Sequence, residues 1–104
     1  MQIIENRRDN KVELEVSGRL DANTSEQLEK EIKNFLSYAA VKRLYLDFSK
    51  VEYISSAAIR VLLAAQKSIK EGHELIIVNP SEFCTQVFQV TGADIFLDIE
   101  RLEK

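Results

Sequence analysis

The most constraining feature of this chain is a strand pattern that runs directly into a helix pattern at two adjacent serines. Every second residue over 44–48 is apolar, a period of two that predicts a β-strand. After Ser55 and Ser56, apolar residues recur at helical spacing and predict a helix over 56–70, ended by Gly72. The first turn of a helix leaves backbone N–H groups unpaired and carries partial positive charge, which favours a serine oxygen or a phosphate.

A second strand pattern lies near the start of the chain. Val12, Leu14 and Val16 alternate with charged residues, which is typical of a strand with one face on a core and the other in water. The short segment at Ile3 and Ile4 precedes it with only a turn between them. We therefore expect these two strands to pair as an antiparallel hairpin.

Between the serine junction and this hairpin lies a predicted helix. Thr24 and Gln27 have the spacing of a capping box, and apolar residues at helical intervals predict a helix over 25–38. Beyond the junction, residues 75–78 form a continuous apolar run of strand length. Such a run is typical of an inner strand that is covered on both faces.

The last third of the chain predicts one more helix and one more strand. Asn79 is a candidate cap and Pro80 a candidate first helical residue, and the helical spacing continues to Gly92. The apolar residues over 95–99 predict a final strand. The order strand, strand, helix, strand, helix, strand, helix, strand predicts an α/β fold with crossover helices and a mixed, mostly parallel sheet of about five strands.

Composition limits the class of protein. The 104 residues contain 3 glycines and 1 proline, too few for a flexible linker, so we expect one domain over residues 1–104. A net charge of -3 disfavours direct nucleic-acid binding. No apolar stretch approaches the roughly 20 residues that span a bilayer, so we expect no direct membrane insertion. The single cysteine cannot form an internal disulfide, which fits a cytoplasmic protein.

Residues that often carry catalysis or bind metals are sparse. The chain has no glycine-rich phosphate loop, zinc-type spacing or pattern of paired catalytic carboxylates. Cys84 lies among apolar residues and His73 follows a glycine, so we expect a buried hydrophobic residue and a loop residue rather than a catalytic pair. We therefore expect a non-enzyme with no catalytic residue, metal or cofactor.

Two segments resemble a known family. Residues 18–21 read Gly-Arg-Leu-Asp, and residues 47–56 read Asp-Phe-Ser-Lys-Val-Glu-Tyr-Ile-Ser-Ser. They resemble the STAS family, the anti-sigma factor antagonist domains, which usually show Gly-x-Leu-Asp and Asp-x-Ser-x-Val-x-x-hydrophobic-Asp-Ser-Ser/Thr-Gly. The first motif is complete here and the second is partly kept. The resemblance covers nearly the whole chain and implies a STAS-like fold.

By this resemblance, Ser56 occupies the position of the serine that family members offer to an anti-sigma protein kinase. Ser55 replaces the preceding aspartate and lacks its charge, and Ala57 replaces a serine or threonine. Ala58 replaces a glycine, which would place a methyl group where a partner's backbone approaches. The predicted partner-binding residues are Asp21, Asn23, Ser55, Ser56, Ala57, Ala58 and Arg60.

The residues themselves leave other interpretations open. Ser55 and Ser56 have the chemistry of simple helix caps, and Asp21 can equally stabilise the turn before a helix. Arg60 fits an ordinary solvated helix position.

The resemblance implies an anti-sigma factor antagonist. Such a domain binds an anti-sigma serine kinase, which holds the ATP, and so frees a sigma factor; phosphorylation at Ser56 would end the binding. A phosphatase that resets the switch is a further candidate partner. Two alternatives remain, a STAS regulatory subunit of a membrane transporter and a STAS scaffold that is not phosphorylated.

Overall fold

The structure, a computed structural model, describes residues 1–102 as alternating strands and helices. In chain order the elements are β1 (Gln2–Arg8), β2 (Lys11–Leu20), α1 (Ala22–Leu36), β3 (Arg43–Ile54), α2 (Ser56–Lys67), β4 (Glu74–Val78), α3 (Glu82–Thr91), a 3-10 helix (Ala93–Ile95) and β5 (Ile99–Glu100). The predicted order of strands and helices is confirmed, with the 3-10 helix added. Residues 103 and 104, the end of the predicted domain, lie outside the described residues.

The strands form one five-stranded sheet in the order β1-β2-β3-β4-β5. β1 pairs with β2 in antiparallel register, and all the other neighbouring strands are parallel. This confirms the predicted α/β fold, with a mostly parallel sheet and an antiparallel edge. β2 and β3 pair from Lys11 opposite Arg43 to Leu20 opposite Ile54, with register shifts between Glu15 and Ser17 and between Gly18 and Arg19.

The hydrophobic core forms between one face of the sheet and the helices. The period of two in β2 and β3 directs one set of side chains inward, and the helices supply the rest. The core cluster includes Val12, Leu14, Val16, Leu44, Leu46 and Phe48 from the sheet, Leu28, Ile32 and Phe35 from α1, Ala58 and Leu62 from α2, and Cys84 and Phe88 from α3. All of β4 after Glu74 is buried, as predicted for an inner strand. No helix within residues 1–102 has the length and apolar character needed to span a membrane.

The first two helices differ from their predicted bounds. α1 begins at Ala22 rather than at residue 25, and its cap is Asp21. The predicted capping pair of Thr24 with Gln27 is therefore wrong. The chain turns as soon as β2 ends, so the earlier of two cap-favouring residues is used. α2 ends at Lys67, before the predicted residue 70.

The C-terminal third holds the largest differences. Ser81, not Asn79, caps α3: its Oγ accepts the backbone N–H of Cys84 over 3.2 Å and donates to the carbonyl of Val51 over 2.7 Å. Gly92 ends the helix with a φ of 76°, as predicted. The strand expected over 95–99 is wrong, because the chain forms the 3-10 helix first and only Ile99–Glu100 joins the sheet. A short apolar run does not distinguish a strand from a helical turn by periodicity.

Candidate functional site

The carboxyl ends of β2 and β3 lie side by side at one edge of the sheet, and each leads directly into a helix. The last residues of the two strands, Leu20 and Ile54, are paired in register. The backbone N–H of Ser55 donates to the carbonyl of Leu20 over 2.8 Å and extends this pairing. Asp21 and Ser55 are the N-caps of α1 and α2. Two helices therefore begin at this edge, and the N-terminus of each carries the partial positive charge of the helix dipole and backbone N–H groups without partners in the helix.

Asp21 stabilises the start of α1. Its Oδ1 accepts the backbone N–H groups of Asn23 and Thr24, each over 3.0 Å, and the Thr24 hydroxyl over 3.1 Å. The Thr24 Oγ1 in turn accepts the Asp21 backbone N–H over 2.9 Å. The hydrogen bond from the Thr24 backbone favours the charged carboxylate and lowers the pKa of Asp21 below its usual value. Of the two interpretations of Asp21, its contacts support the turn-stabilising one.

The two adjacent serines have different environments. The Ser55 hydroxyl accepts the backbone N–H of Ala58 over 3.2 Å, so Ser55 is the cap of α2. Ser56 is the first residue of the helix and is exposed. Within residues 1–102 no hydrogen bond engages the Ser56 hydroxyl. The capping task therefore falls to Ser55, and the Ser56 oxygen faces solvent.

A row of three side chains crosses the same edge. The guanidinium carbon of Arg19 lies 4.3 Å from the ring centroid of Tyr53. The Tyr53 ring lies 5.8 Å from the Phe83 ring, centroid to centroid, with the planes tilted by 40°. We call this the Arg19–Tyr53–Phe83 row. No sequence pattern links these three residues, although Arg19 is the variable residue of the Gly-x-Leu-Asp motif.

Comparison with known proteins decides the family. The STAS domain family model matches residues 2–103. The chain belongs to the STAS domain family. The anti-sigma-B factor antagonist of Listeria monocytogenes is 27% identical over 96 residues, which cover 88% of this chain and 81% of that protein. The predicted family is thereby confirmed.

Solved structures of anti-sigma factor antagonists share the fold of this STAS domain. The crystal structure from Mycobacterium paratuberculosis has a TM-score of 0.84 and 21% identity, covering 95% of this chain and 84% of that one. Unphosphorylated SpoIIAA has a TM-score of 0.80 and 19% identity, covering 99% of this chain and 90% of that one. The phosphorylated form of this Bacillus cell fate determinant has a TM-score of 0.74 and 19% identity, covering 99% of this chain and 93% of that one.

The predicted partner-binding residues of this STAS domain do not all face solvent. Asn23, Ser56 and Arg60 are exposed, while Asp21, Ser55 and Ala57 are half-buried. Ala58 is 0% exposed and belongs to the core cluster. The expectation that its methyl group faces a partner is therefore wrong for this side chain. The first turn of α2 directs Ala58 toward the sheet, because the helix packs that side against the core.

Cys84 and His73 lie in different environments. Cys84 is buried in the core, and burial raises the pKa of its thiol above the usual value. A thiol held neutral in this way is a poor nucleophile. His73 lies between α2 and β4, with its Nδ1 2.9 Å from the carbonyl oxygen of Val41. These environments match a core residue and a loop residue.

The structure brings together three acids that the sequence analysis did not group. Ligand atoms of Glu13, Glu15 and Asp47 lie within 4.8 Å of one another on neighbouring strands. Oδ1 of Asp47 accepts the backbone N–H of Ser49 over 2.9 Å. Acidic groups of this kind are common without a metal, so the cluster does not by itself indicate a metal site.

The different tasks of the two serines can be tested by stability. We expect Ser55→Ala to lower the free energy of unfolding by about 1 kcal/mol, because the Ala58 N–H loses its acceptor. The matched change Ser56→Ala removes an exposed hydroxyl, and we expect a change below about 0.5 kcal/mol. Urea unfolding followed by circular dichroism measures both. Equal losses in the two variants would show that Ser56 also caps the helix.

The lowered pKa of Asp21 makes a pH-dependent prediction. Because the folded pKa lies below the usual value of 3.8, the stabilisation from Asp21 is complete above that pH and is lost as the pH falls through the folded pKa. Asparagine caps a helix about as well but does not titrate. We therefore expect Asp21→Asn to match the original near neutral pH and to lose less melting temperature below about pH 4. Thermal unfolding across this pH range is the measurement, with Asp9→Asn as control. Parallel curves for the original and Asp21→Asn would contradict the prediction.

Proposed function

We propose that this STAS domain is an anti-sigma factor antagonist whose binding is switched by phosphorylation of Ser56. In this proposal the unmodified chain binds an anti-sigma serine kinase and so frees a sigma factor. The observation that carries the proposal is the exposed Ser56 hydroxyl at the start of α2, with Ser55 as the cap. The names of its relatives support it: one is an anti-sigma-B factor antagonist, and SpoIIAA has a phosphorylated form.

The proposed modification requires no catalytic group from this chain. The Ser56 oxygen would attack the γ-phosphorus of ATP held by the kinase, and the bond from that phosphorus to the bridging oxygen would break. ADP leaves, and the hydroxyl proton passes to a base of the kinase. The accessible hydroxyl is the one group that the chain must supply, and Ser56 meets this requirement. ATP therefore belongs to the partner, and we assign no cofactor or catalytic residue to this domain.

The charge of a phosphate acts mainly on the complex and much less on the fold. Phosphorylation adds roughly -1.5 to -2 charges near pH 7, and the helix dipole favours a nearby anion by about 0.3 to 1 kcal/mol. The folded domain therefore tolerates the group. In a partner interface the dianion must be desolvated, and the exposed Glu52 nearby in sequence adds like charge. Such costs commonly reach several kcal/mol, and about 1.4 kcal/mol already changes affinity tenfold.

The surface proposed for the kinase surrounds Ser56. Asn23 lies in the first turn of α1, and Arg60 lies one turn into α2. Both are exposed, and Ala57 between Ser56 and the core is half-buried. The exposure of Ser56 leaves its hydroxyl accessible to a kinase. We include Asp21 and Ser55 as residues that hold this surface in shape through their caps.

Phosphorylation itself is the first test. Incubation with the cognate anti-sigma kinase and ATP should add one phosphate to the intact chain, measured by mass spectrometry. We expect Ser56→Ala to abolish the added mass, because no other hydroxyl occupies the first position of α2. Ser55→Ala is the matched control and should still be phosphorylated. No added mass, or mass that persists in Ser56→Ala, contradicts the proposed acceptor.

The effect on binding is the second test. Ser56→Asp places a negative charge at the start of α2, and we expect it to weaken kinase binding at least about tenfold while the melting temperature stays close to that of the original. Asn34→Asp adds the same charge at the other end of α1 and should bind normally. Isothermal titration calorimetry gives the affinities. Unchanged affinity for folded Ser56→Asp would contradict the switch, and copurification with a transport ATPase instead of a kinase would favour the transporter alternative.

A further inference from the structure

We propose that the Arg19–Tyr53–Phe83 row is a second contact with the partner, and that it recognises a partner carboxylate beside an apolar pocket. This inference rests on the proposed function, because it assigns chemistry to the partner's side of the surface around Ser56. The row does not include Ser55 or Ser56. The three side chains span three elements, β2, β3 and the first turn of α3.

Arg19 presents an exposed guanidinium. One face of the group is held over the Tyr53 ring at 4.3 Å, which leaves its N–H donors directed outward around the rim of the plane. Within residues 1–102 no carboxylate forms an ion pair with Arg19. The charge of Arg19 contributes to the lowered pKa of Asp21, while Oδ1 of Asp21 accepts the hydrogen bonds of the α1 cap. A planar fork of donors that is held against an aromatic ring is suited to a partner's carboxylate, which it can bind through two parallel hydrogen bonds.

Phe83 supplies the apolar end of the row. It lies at the start of α3, is 41% exposed, and contacts Tyr53 at its edge. Because the two rings and the stacked guanidinium restrict one another, little side-chain freedom remains to be lost on binding. Arginine and aromatic side chains dominate the residues that contribute most to protein interfaces. The row therefore fits a protein surface that offers a carboxylate at one end and an apolar pocket at the other.

The row and Ser56 belong to the same edge of the molecule. Arg19 and Tyr53 are paired residues near the ends of β2 and β3, and Ser56 follows Tyr53 across the junction with α2. One partner surface can therefore cover both.

Charge reversal at Arg19 is the decisive experiment. We expect Arg19→Glu to weaken binding of the cognate anti-sigma kinase at least about tenfold in calorimetry, and Phe83→Ser to weaken it as well. Arg19→Lys keeps the charge but loses the planar fork, so an intermediate loss is expected. Arg8→Glu and Tyr38→Ala are the matched controls, because both residues are exposed at the opposite edge of the sheet and helices. Circular dichroism checks that each variant is folded.

The outcomes separate this inference from the proposed function. Selective loss in Arg19→Glu and Phe83→Ser, with a smaller salt dependence in Arg19→Leu than in the original, supports the row as a carboxylate-binding contact. Normal kinase binding by folded Arg19→Glu overturns the inference and leaves the proposed function standing. Equal losses in Arg8→Glu show only a general effect of charge and also overturn it. If the original chain does not bind the kinase, the proposed function and this inference fail together.

Discussion

The parallel pairing of β2 with β3, continued by the hydrogen bond from the Ser55 N–H to the Leu20 carbonyl, positions everything else in the candidate site. This pairing places the last residues of the two strands next to each other, so that α1 and α2 begin side by side. A shift of one residue in this register would exchange the inner and outer faces of a strand, which the buried Leu20 and Ile54 prevent. The hydrophobic core thus sets where the polar edge lies. The positions of the first turns of α1 and α2 follow from this strand register.

The cap of α2 and the hydroxyl proposed for phosphorylation lie on neighbouring residues, Ser55 and Ser56. Ser55 satisfies the Ala58 N–H and lies half-buried, whereas Ser56 contributes no hydrogen bond within residues 1–102. A modification of Ser56 therefore leaves the helix start intact. If one serine performed both tasks, a phosphate on its oxygen would change the cap itself. The buried Ala58 also holds the first turn of α2 in place, because it packs in the hydrophobic core.

The fold could be predicted from hydrophobic periodicity because the strands of this sheet have clear patterns. The alternation in β2 has one structural interpretation, and the apolar run of β4 lies between two predicted helices, where a crossover fold places a strand. The apolar residues over 95–99 do not, and Ile95 and Phe96 are instead 78% and 70% exposed around the 3-10 helix. The start of α1 was misplaced because Asp21 and Thr24 are both good caps, and only the end of β2 decides between them.

The site was predictable only where it follows a local motif. Ser56 and its exposure follow from its position directly after a strand and at the start of a helix. The buried orientation of Ala58 depends on how α2 rotates against the sheet, which residue type does not reveal. The Arg19–Tyr53–Phe83 row joins residues far apart in sequence, so it requires the register of β2 with β3 and the placement of α3.

The two outer strands of the sheet, β1 and β5, affect how readily another strand can pair with it. β1 is exposed and carries Glu5, Arg7 and Arg8, and β5 has only two residues, so both borders disfavour the addition of a further strand. Copies of the chain are for the same reason poorly suited to joining edge to edge.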